Sequence, residues 1–341
     1  MSDPMSVTTE YPQAWYPLLR SGELRRGKVV GVRAFSGELV AWRGQDGQAA
    51  VMTRHCAHMG ADLARGVVTG NELVCPLHRM HIDLSGRGRF AVASRPEPGP
   101  CQFTFPVDER YGMVFVYFGA QPGAEWPSHP SDEPYYCSRP FARVFDTSFD
   151  AVCLNSFDRD HFSTVHGREL SSYGIEKLDA GGLRVTFRSR IAGTSFVDKV
   201  MRATGIRDFG IEVDVHGGNF NMMRNPRTGA GALIATLPVD ASHSRLFVVT
   251  FGKRGGRGID WLAGSLRFAV QSWAVMHFLR QDMRAIDGMR VRLDAALLAS
   301  DPILRLWDEH LRALPLTSVA RLQGRGGRAG QLAMVVSNAS G

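Results

Sequence analysis

The segments Cys56-Ala-His58 and Cys75-Pro-Leu-His78 decide how the first part of this 341-residue chain folds. Each supplies one thiol and one imidazole at close spacing, so two loops can hold one metal centre from two sides. Gly60 and Gly66 permit tight backbone turns, and Pro76 stiffens the second loop. Two centres use such donors, a tetrahedral zinc ion and a [2Fe–2S] cluster with two histidines on one iron. The order of the residues favours the cluster, because zinc histidines more often follow as a separate pair.

Most of residues 15–120 resembles the Rieske domain family on the strength of these two segments. The resemblance implies a [2Fe–2S] cluster with four ligands, Cys56, His58, Cys75 and His78. Rieske proteins of respiratory and photosynthetic complexes carry an extra cysteine in each cluster loop, joined as a disulfide. Ala61 and Leu77 occupy those places here, which indicates the Rieske domains of oxygenases and small ferredoxins.

A second metal motif lies well beyond the cluster segments, where a small ferredoxin would already have ended. In Asp158-Arg-Asp-His161-Phe-Ser-Thr-Val-His166, two histidines follow an acid, and this spacing matches the iron-site motif of Rieske oxygenases. Non-heme oxygenases bind Fe(II) with two histidines and one carboxylate, which leaves positions open for O₂ and substrate. Five residues correspond to about 140° around a helix, so we expect His161 on a helix and His166 at its end.

The third ligand of this iron is expected from a later helix that contains Asp282. Position 282 shares its helix face with apolar residues, namely Val275, Phe278, Leu279, Ile286 and Met289. An acid on an apolar face is costly unless it is ionised against a cation or a metal. An ion pair with Arg280 or Arg284 is the structural alternative, but both arginines point to other faces. A Gln-Asp pair on a late helix is also where the family places this ligand, so Asp282 is predicted, with Asp287 in reserve.

The resemblance also implies roles for Asp158 and Asn155. In Rieske oxygenases, the acid three residues before the first iron histidine bridges to a cluster histidine of the neighbouring subunit in a head-to-tail homotrimer. Cluster and iron within one chain are too far apart for fast electron transfer. We therefore expect Asp158 to bridge to His78 of the next subunit, and Asn155 to tune the same site. The structural alternative for Asp158 is an acid favoured by the dipole at a helix N-terminus.

The sequence predicts an α+β fold with two domains. Short β-rich segments over residues 15–120 indicate an all-β Rieske domain. A linker with five prolines follows at 121–140. Residues 141–320 are expected to form a helix-grip-like catalytic domain, an antiparallel sheet with a long C-terminal helix over about 262–298. Residues 321–341 are expected to be a flexible tail.

Composition limits the classes of function. Lys and Arg number 40 against 33 Asp and Glu, and this excess is dispersed, so nucleic-acid binding is disfavoured. The basic Arg/Gly clusters are read mainly as solvated loops, with a docking surface for an acidic redox partner as the alternative. Arg267, Gln271 and His277 interrupt the most apolar window, which argues against a transmembrane segment. No secretory signal is recognised and the five cysteines suggest metal chemistry in a reducing compartment, so a cytoplasmic protein is expected.

The expected function is that of an oxygenase component, which uses O₂ and electrons from a separate ferredoxin or flavin reductase. The loop Cys-Ala-His-Met-Gly-Ala-Asp-Leu resembles the branch of 3-ketosteroid 9α-hydroxylase and cholesterol desaturase. We therefore expect a hydrophobic substrate, such as a sterol-like or polycyclic molecule, with apolar pocket candidates Phe220, Met222, Met223, Met276 and Phe278. The alternatives are a Rieske-type electron carrier and an oxidative cyclase of a natural-product pathway.

Overall fold

The computed structural model describes residues 10–92, 95–119, 122, 135–166, 169–178, 181–191, 199, 202–203, 208–254, 256 and 258–325. Most of the predicted linker and residues 326–341 of the predicted tail lie outside these ranges. The described residues divide into two compact units. The first contains the chain up to 122 together with 239–241 and 316–325, and the second contains the rest.

The first unit is built from antiparallel strands, which confirms the predicted all-β domain. Its strands are β1 (Tyr11–Pro12), β2 (Trp15–Arg20), β3 (Val29–Ala34), β4 (Gly37–Arg43), β5 (Ala49–Thr53), β6 (Val67–Thr69), β7 (Glu72–Val74), β8 (Met80–Ile82), β9 (Gly88–Val92), β10 (Arg95–Pro98), β11 (Thr104–Phe105), β12 (Val107–Arg110), β13 (Met113–Tyr117) and β22 (Leu316–Thr317). They form sheets in the orders β10-β9-β8-β7-β6, β11-β5-β4-β3, β12-β13-β2 and β1-β22. The pairing of β1 with β22 joins two segments that are distant in sequence.

The core of this unit contains the cluster cysteines. Trp42 and Met52, on β4 and β5, pack in one buried group with Cys56, Cys75 and Met80. Burial of such side chains contributes roughly 1.5–3 kcal/mol each to the free energy of unfolding. The cysteine ends of the two cluster loops are therefore anchored in a buried core of the domain.

The second unit is an antiparallel sheet with helices. Its strands are β14 (Tyr135–Cys137), β15 (Phe141–Phe145), β16 (Leu170–Lys177), β17 (Leu183–Arg190), β18 (Asp208–His216), β19 (Phe220–Arg224), β20 (Gly231–Pro238) and β21 (Ser244–Lys253). The sheet order is β14-β21-β20-β19-β18-β17-β16, and β15 also pairs with β21. On β17, buried residues alternate with more exposed ones, which is the pattern of a strand with one face on a core.

The second unit contains the helices α1 (Ala151–Asn155), α2 (Arg159–Thr164), α3 (Ile259–Ile286), α4 (Ala295–Ser300) and α5 (Pro302–Ala313). A further helix, α6 (Val319–Arg325), belongs to the first unit. Leu279 and Met283 of α3 pack with Phe145, Ile234 and Val248 of the sheet. The long helix on an antiparallel sheet is the predicted catalytic-domain architecture. Within the part of the chain that is described, no helix has both the length and the apolar character needed to cross a membrane.

The predicted end of the long helix, near Leu298, is wrong. Helix α3 ends at Ile286 because Asp287 has an extended backbone and Gly288 has a φ of 88°. A separate helix, α4, then begins after Asp294, whose side chain accepts a hydrogen bond from the N–H of Leu297. Helix α6 extends to Arg325, five residues into the segment predicted as tail.

Candidate metal centres

The two cluster loops share one backbone design. In the first, the N–H of Gly60 donates to the carbonyl of Cys56 and the N–H of Cys56 donates to the carbonyl of Ala61. In the second loop, the N–H of Arg79 donates to the carbonyl of Cys75 and the N–H of Cys75 donates to the carbonyl of Met80. Gly60 and Arg79 both have a positive φ, at 72° and 55°, which turns each chain sharply after its histidine. Each loop thus carries its cysteine and its histidine on one tight turn.

The donor atoms of the two loops are arranged for a binuclear centre. The cysteines are buried, with Cys56 4% and Cys75 2% exposed, whereas His58 and His78 are exposed. The two imidazole centroids lie 4.9 Å apart, close enough for both rings to face one metal ion. No three ligand atoms of this set lie within 4.8 Å of one another. A tetrahedral zinc site would hold all four within about 3.8 Å, so the zinc alternative fits poorly.

Burial disfavours the thiolate form of Cys56 as long as no metal ion is bound. Burial raises the pKa of the Cys56 thiol, and a hydrogen bond with Cys75 raises it further. A thiol in this position becomes a thiolate when a metal ion takes the place of the proton. All five cysteines are free, so the structure contains no disulfide across the loops, in agreement with Ala61 and Leu77 at the sequence positions considered above.

Gln102 is a residue of this centre that sequence reasoning missed. It is 4% exposed, and its Nε2 donates to the carbonyl of Thr53 at 2.8 Å, to the hydroxyl of Thr53 at 2.6 Å and to the carbonyl of His55 at 3.0 Å. Its Oε1 accepts from the N–H of Ala57 at 2.7 Å. The amide therefore ties the backbone on both sides of Cys56. No sequence motif marks it, because it lies more than forty residues after the loop it holds.

The second centre brings His161, His166 and Asp282 together. Asp282 Oδ1 lies 2.7 Å from His161 Nε2 and 2.8 Å from His166 Nε2, and the two nitrogens are 3.1 Å apart. For metal–ligand bonds of about 2.1 Å, ligands at right angles lie about 3 Å apart. The three atoms thus form one triangular face of the size that an octahedral divalent ion requires. This donor set fits Fe(II) with open positions on the opposite side.

The surroundings hold this triad in place. Burial alone would raise the pKa of Asp282, but hydrogen bonds from His161 and His166 outweigh it, so the pKa lies below its ordinary value. Gln281 Oε1 lies 2.9 Å from Nδ1 of His166, which directs the other ring nitrogen to the metal site. The ring of Phe278 stacks on His166 with centroids 3.6 Å apart. Among the described residues, neither Arg280 nor Arg284 forms an ion pair with Asp282.

The remaining predicted residues lie around α2 and α3. Asp158 is exposed and is the N-cap of α2, where its Oδ1 accepts from the N–H groups of Asp160 and His161 at 3.0 and 3.1 Å. Asn155 Nδ2 lies 3.3 Å from His161 Nε2, at the edge of the triad. The reserve ligand Asp287 is turned away from the triad, because its carboxylate accepts from Arg143 and from the N–H of Asp146.

A cavity opens beside the triad inside the second unit. Its wall is mainly apolar and includes Phe187, Ile211, Met223, Ile234, Phe278 and Met283. Met223 and Phe278 are thus two of the five predicted pocket residues. Phe220 and Met222 are buried in the sheet instead, and Met276 packs against the core between α3 and the sheet. The polar atoms of the wall come from the triad and from Asn155, Ser156 and Asn221.

Comparison with known proteins identifies the domain that contains the first of these centres. Residues 14–105 match the model of the Rieske [2Fe–2S] domain. The chain is 32% identical over 185 residues to aminopyrrolnitrin oxygenase PrnD of Pseudomonas fluorescens, covering 51% of each chain. It is 30% identical over 133 residues to the oxygenase component of 3-ketosteroid-9-alpha-monooxygenase of Mycobacterium tuberculosis, covering 39% of this chain and 32% of the relative. The alignments thus span about half or less of the relatives' lengths.

The fold match extends over nearly the whole chain. Dicamba monooxygenase superposes with a TM-score of 0.64 at 17% identity, covering 90% of this chain and 98% of that one. NdmA of Pseudomonas putida bound to caffeine gives a TM-score of 0.61 at 18% identity, covering 96% and 97%. Residues 14–105 therefore belong to the Rieske [2Fe–2S] domain family, whose centre is a [2Fe–2S] cluster. The chain has the fold of Rieske oxygenases, and the predicted resemblance to their steroid-oxidising branch is confirmed.

Proposed function

We propose that this protein is the oxygenase component of a Rieske-type system that oxidises a hydrophobic small molecule. The observation that carries the proposal is the triad of His161, His166 and Asp282 in the same chain as a Rieske domain. A pure electron carrier needs only the cluster and has no use for a second donor set beside a cavity. The curated relatives support the proposal, because their names describe monooxygenases, desaturases and a demethylase subunit.

The proposed division of labour follows from the two donor sets. Cys56, His58, Cys75 and His78 would hold the cluster, and its exposed histidine side would receive single electrons from a separate ferredoxin or flavin reductase. Fe(II) on the triad would supply O₂ activation. In a hydroxylation, two electrons and two protons reduce one oxygen atom to water while the other enters a C–H bond. Phe278 and the apolar wall would keep the substrate beside the triad and exclude bulk water.

The assembly is proposed to be a homotrimer with electron transfer between subunits. The side chain of Asp158 is exposed, and in the described part of the chain only its Oδ1 is recorded in hydrogen bonds. Oδ2 is therefore available to accept from His78 of a neighbouring subunit. Asn155, at the edge of the triad, is proposed to adjust the same iron site. Desaturation, dealkylation and oxidative cyclisation use the same residues, so the reaction type depends on the substrate.

Iron analysis of two matched variants tests the proposal. Asp282→Ala should lower the iron content from about three to about two per chain and abolish O₂-dependent turnover, because two neutral imidazoles hold Fe(II) weakly. The electron paramagnetic signal of the reduced cluster should remain. Asp287→Ala removes an acid five positions away on the same segment and should keep all the iron. Wild-type protein with two irons per chain would establish an electron carrier instead.

A further inference from the structure

The cavity beside the triad has a polar strip on one side. Asn155 lies next to the triad, and Ser156 follows it in the chain. Asn221 Nδ2 donates to Ser156 Oγ at 3.1 Å, and Asn221 Oδ1 accepts from Cys153 Sγ at 2.9 Å. Asn155 and the hydrogen-bonded pair of Ser156 and Asn221 together form the polar strip of the cavity wall. None of the described residues that line the cavity is a lysine or an arginine.

Asn221 is unusual for its place in the sheet. It lies in β19 with Val215 and Ile234 as its cross-strand partners, and it is 1% exposed. A buried amide is costly unless its hydrogen bonds are made, and an apolar side chain would fit this core without that requirement. The amide is instead satisfied by Ser156 and Cys153, which also fixes the position of the Ser156 hydroxyl.

The Ser156 hydroxyl retains a proton to donate. It accepts from Asn221, and no acceptor for its O–H is recorded among the described residues. A hydroxyl can accept and donate at the same time. In a cavity with few other polar groups, this proton can serve an acceptor atom on a bound molecule.

We infer that the cavity selects an uncharged, mainly apolar molecule whose single acceptor atom takes a hydrogen bond from Ser156, positioned by Asn221. This inference rests on the proposed function and names its substrate class. An anionic substrate is disfavoured at Ser156, because no lysine or arginine of the described cavity wall compensates the hydration that its carboxylate loses there.

Three probes of equal heavy-atom number separate the contributions. Acetophenone offers a neutral acceptor, cumene offers none, and benzoate offers a charged one. With anaerobic holoenzyme and equilibrium dialysis, acetophenone should bind about fivefold more tightly than cumene, the effect of one net hydrogen bond. Benzoate should bind at least about tenfold more weakly than acetophenone, because no lysine or arginine of the described cavity wall compensates its charge at Ser156. Benzoate binding as tightly as acetophenone, or no binding by any probe, would overturn the inference.

The Ser156 variants link the preference to the proposed donor. Ser156→Ala should bring acetophenone down to the affinity of cumene and leave cumene within about twofold of its wild-type value. Ser156→Thr keeps the hydroxyl and should restore the preference for acetophenone. If the ratio of the acetophenone and cumene affinities is unchanged in Ser156→Ala, the inference is refuted, even where the iron content and turnover still support an oxygenase. The opposite outcome is also distinguishable. If the protein has only two irons per chain but binds the probes in the predicted order, the proposed function is refuted and the inference about Ser156 stands.

Discussion

The amide of Gln102 is the residue-scale feature on which the cluster loop depends most. Gln102→Leu leaves the buried carbonyl and hydroxyl of Thr53 without the amide that binds them, and it also removes the acceptor of the Ala57 N–H. Each unsatisfied buried group costs about 1–3 kcal/mol, so the cluster should be lost at a clearly lower denaturant concentration. The measurement is the visible absorption of the cluster during unfolding, together with the reduction potential of the intact variant. Gln48→Leu, at an exposed glutamine, is the control, and equal behaviour of the two variants would contradict the prediction.

Single residues also show what the sequence could and could not reveal about the sites. The cluster ligands and the histidines of the triad were predicted because each pair is close in sequence and has a recognisable spacing. Asp282 was predicted because one acid stands on an apolar helical face. Gln102 and Asn221 were missed, because their partners lie far along the chain and a lone amide carries no periodic signal.

At the scale of elements, α5 and β18 carry a pair of partly buried histidines that should make stability sensitive to acid. Burial lowers the pKa of His216 and His310 below 6.5, and His216 and Lys177 lower that of His310 further. The unfolded chain then binds protons more tightly than the folded one. This contribution to stability is therefore present above about pH 6.5 and is lost as the pH falls through the folded pKa values.

His310→Phe tests this dependence while keeping the aromatic contact with Trp307. The fall in the unfolding midpoint between about pH 7.5 and pH 5.5 should be smaller in the variant than in the wild type. His277→Asn, at an exposed position of α3, should leave the fall unchanged. Chemical denaturation followed by far-ultraviolet circular dichroism gives both values, and parallel curves for wild type and His310→Phe would refute the assignment.

The ends of the strands and helices are set by turn and capping residues more than by the periodicity of apolar residues. The strands β3, β4 and β5 lie within residues 15–120, where β-rich segments were predicted, because β-branched and apolar residues there end at Gly and polar turns. The helix expected to carry His161 is α2, which begins at Arg159 because Asp158 is its N-cap and ends at Thr164, just before His166. The β1–β22 pair was not foreseen, because pairing between distant segments leaves no local pattern.

At the scale of the whole molecule, the central proposal is that electrons cross between subunits through Asp158. Asp158 also caps α2, so its removal would confound two roles. Asparagine caps helices about as well as aspartate but lacks the charge that strengthens a hydrogen bond from a cluster histidine. Asp158→Asn should therefore keep both metal centres and the oligomer, yet slow electron transfer from a pre-reduced cluster. Asp294→Asn, at the N-cap of α4, is the control for the capping change alone.

Mixed oligomers decide whether the transfer is between chains. His161→Ala chains keep a cluster without the iron site, and His78→Ala chains keep the iron site without an intact cluster. Neither should turn over alone, but a mixture should regain activity, because each intact iron site then faces a neighbour's cluster. Adding Asp158→Asn to the His78→Ala chain should abolish this rescue, since that chain supplies the bridge, whereas adding it to the His161→Ala chain should leave the rescue intact. If Asp158→Asn has equal effects on both chains, Asp158 is not the electron path. The same conclusion follows if the single-turnover rate of Asp158→Asn is within about tenfold of wild type (~1.4 kcal/mol).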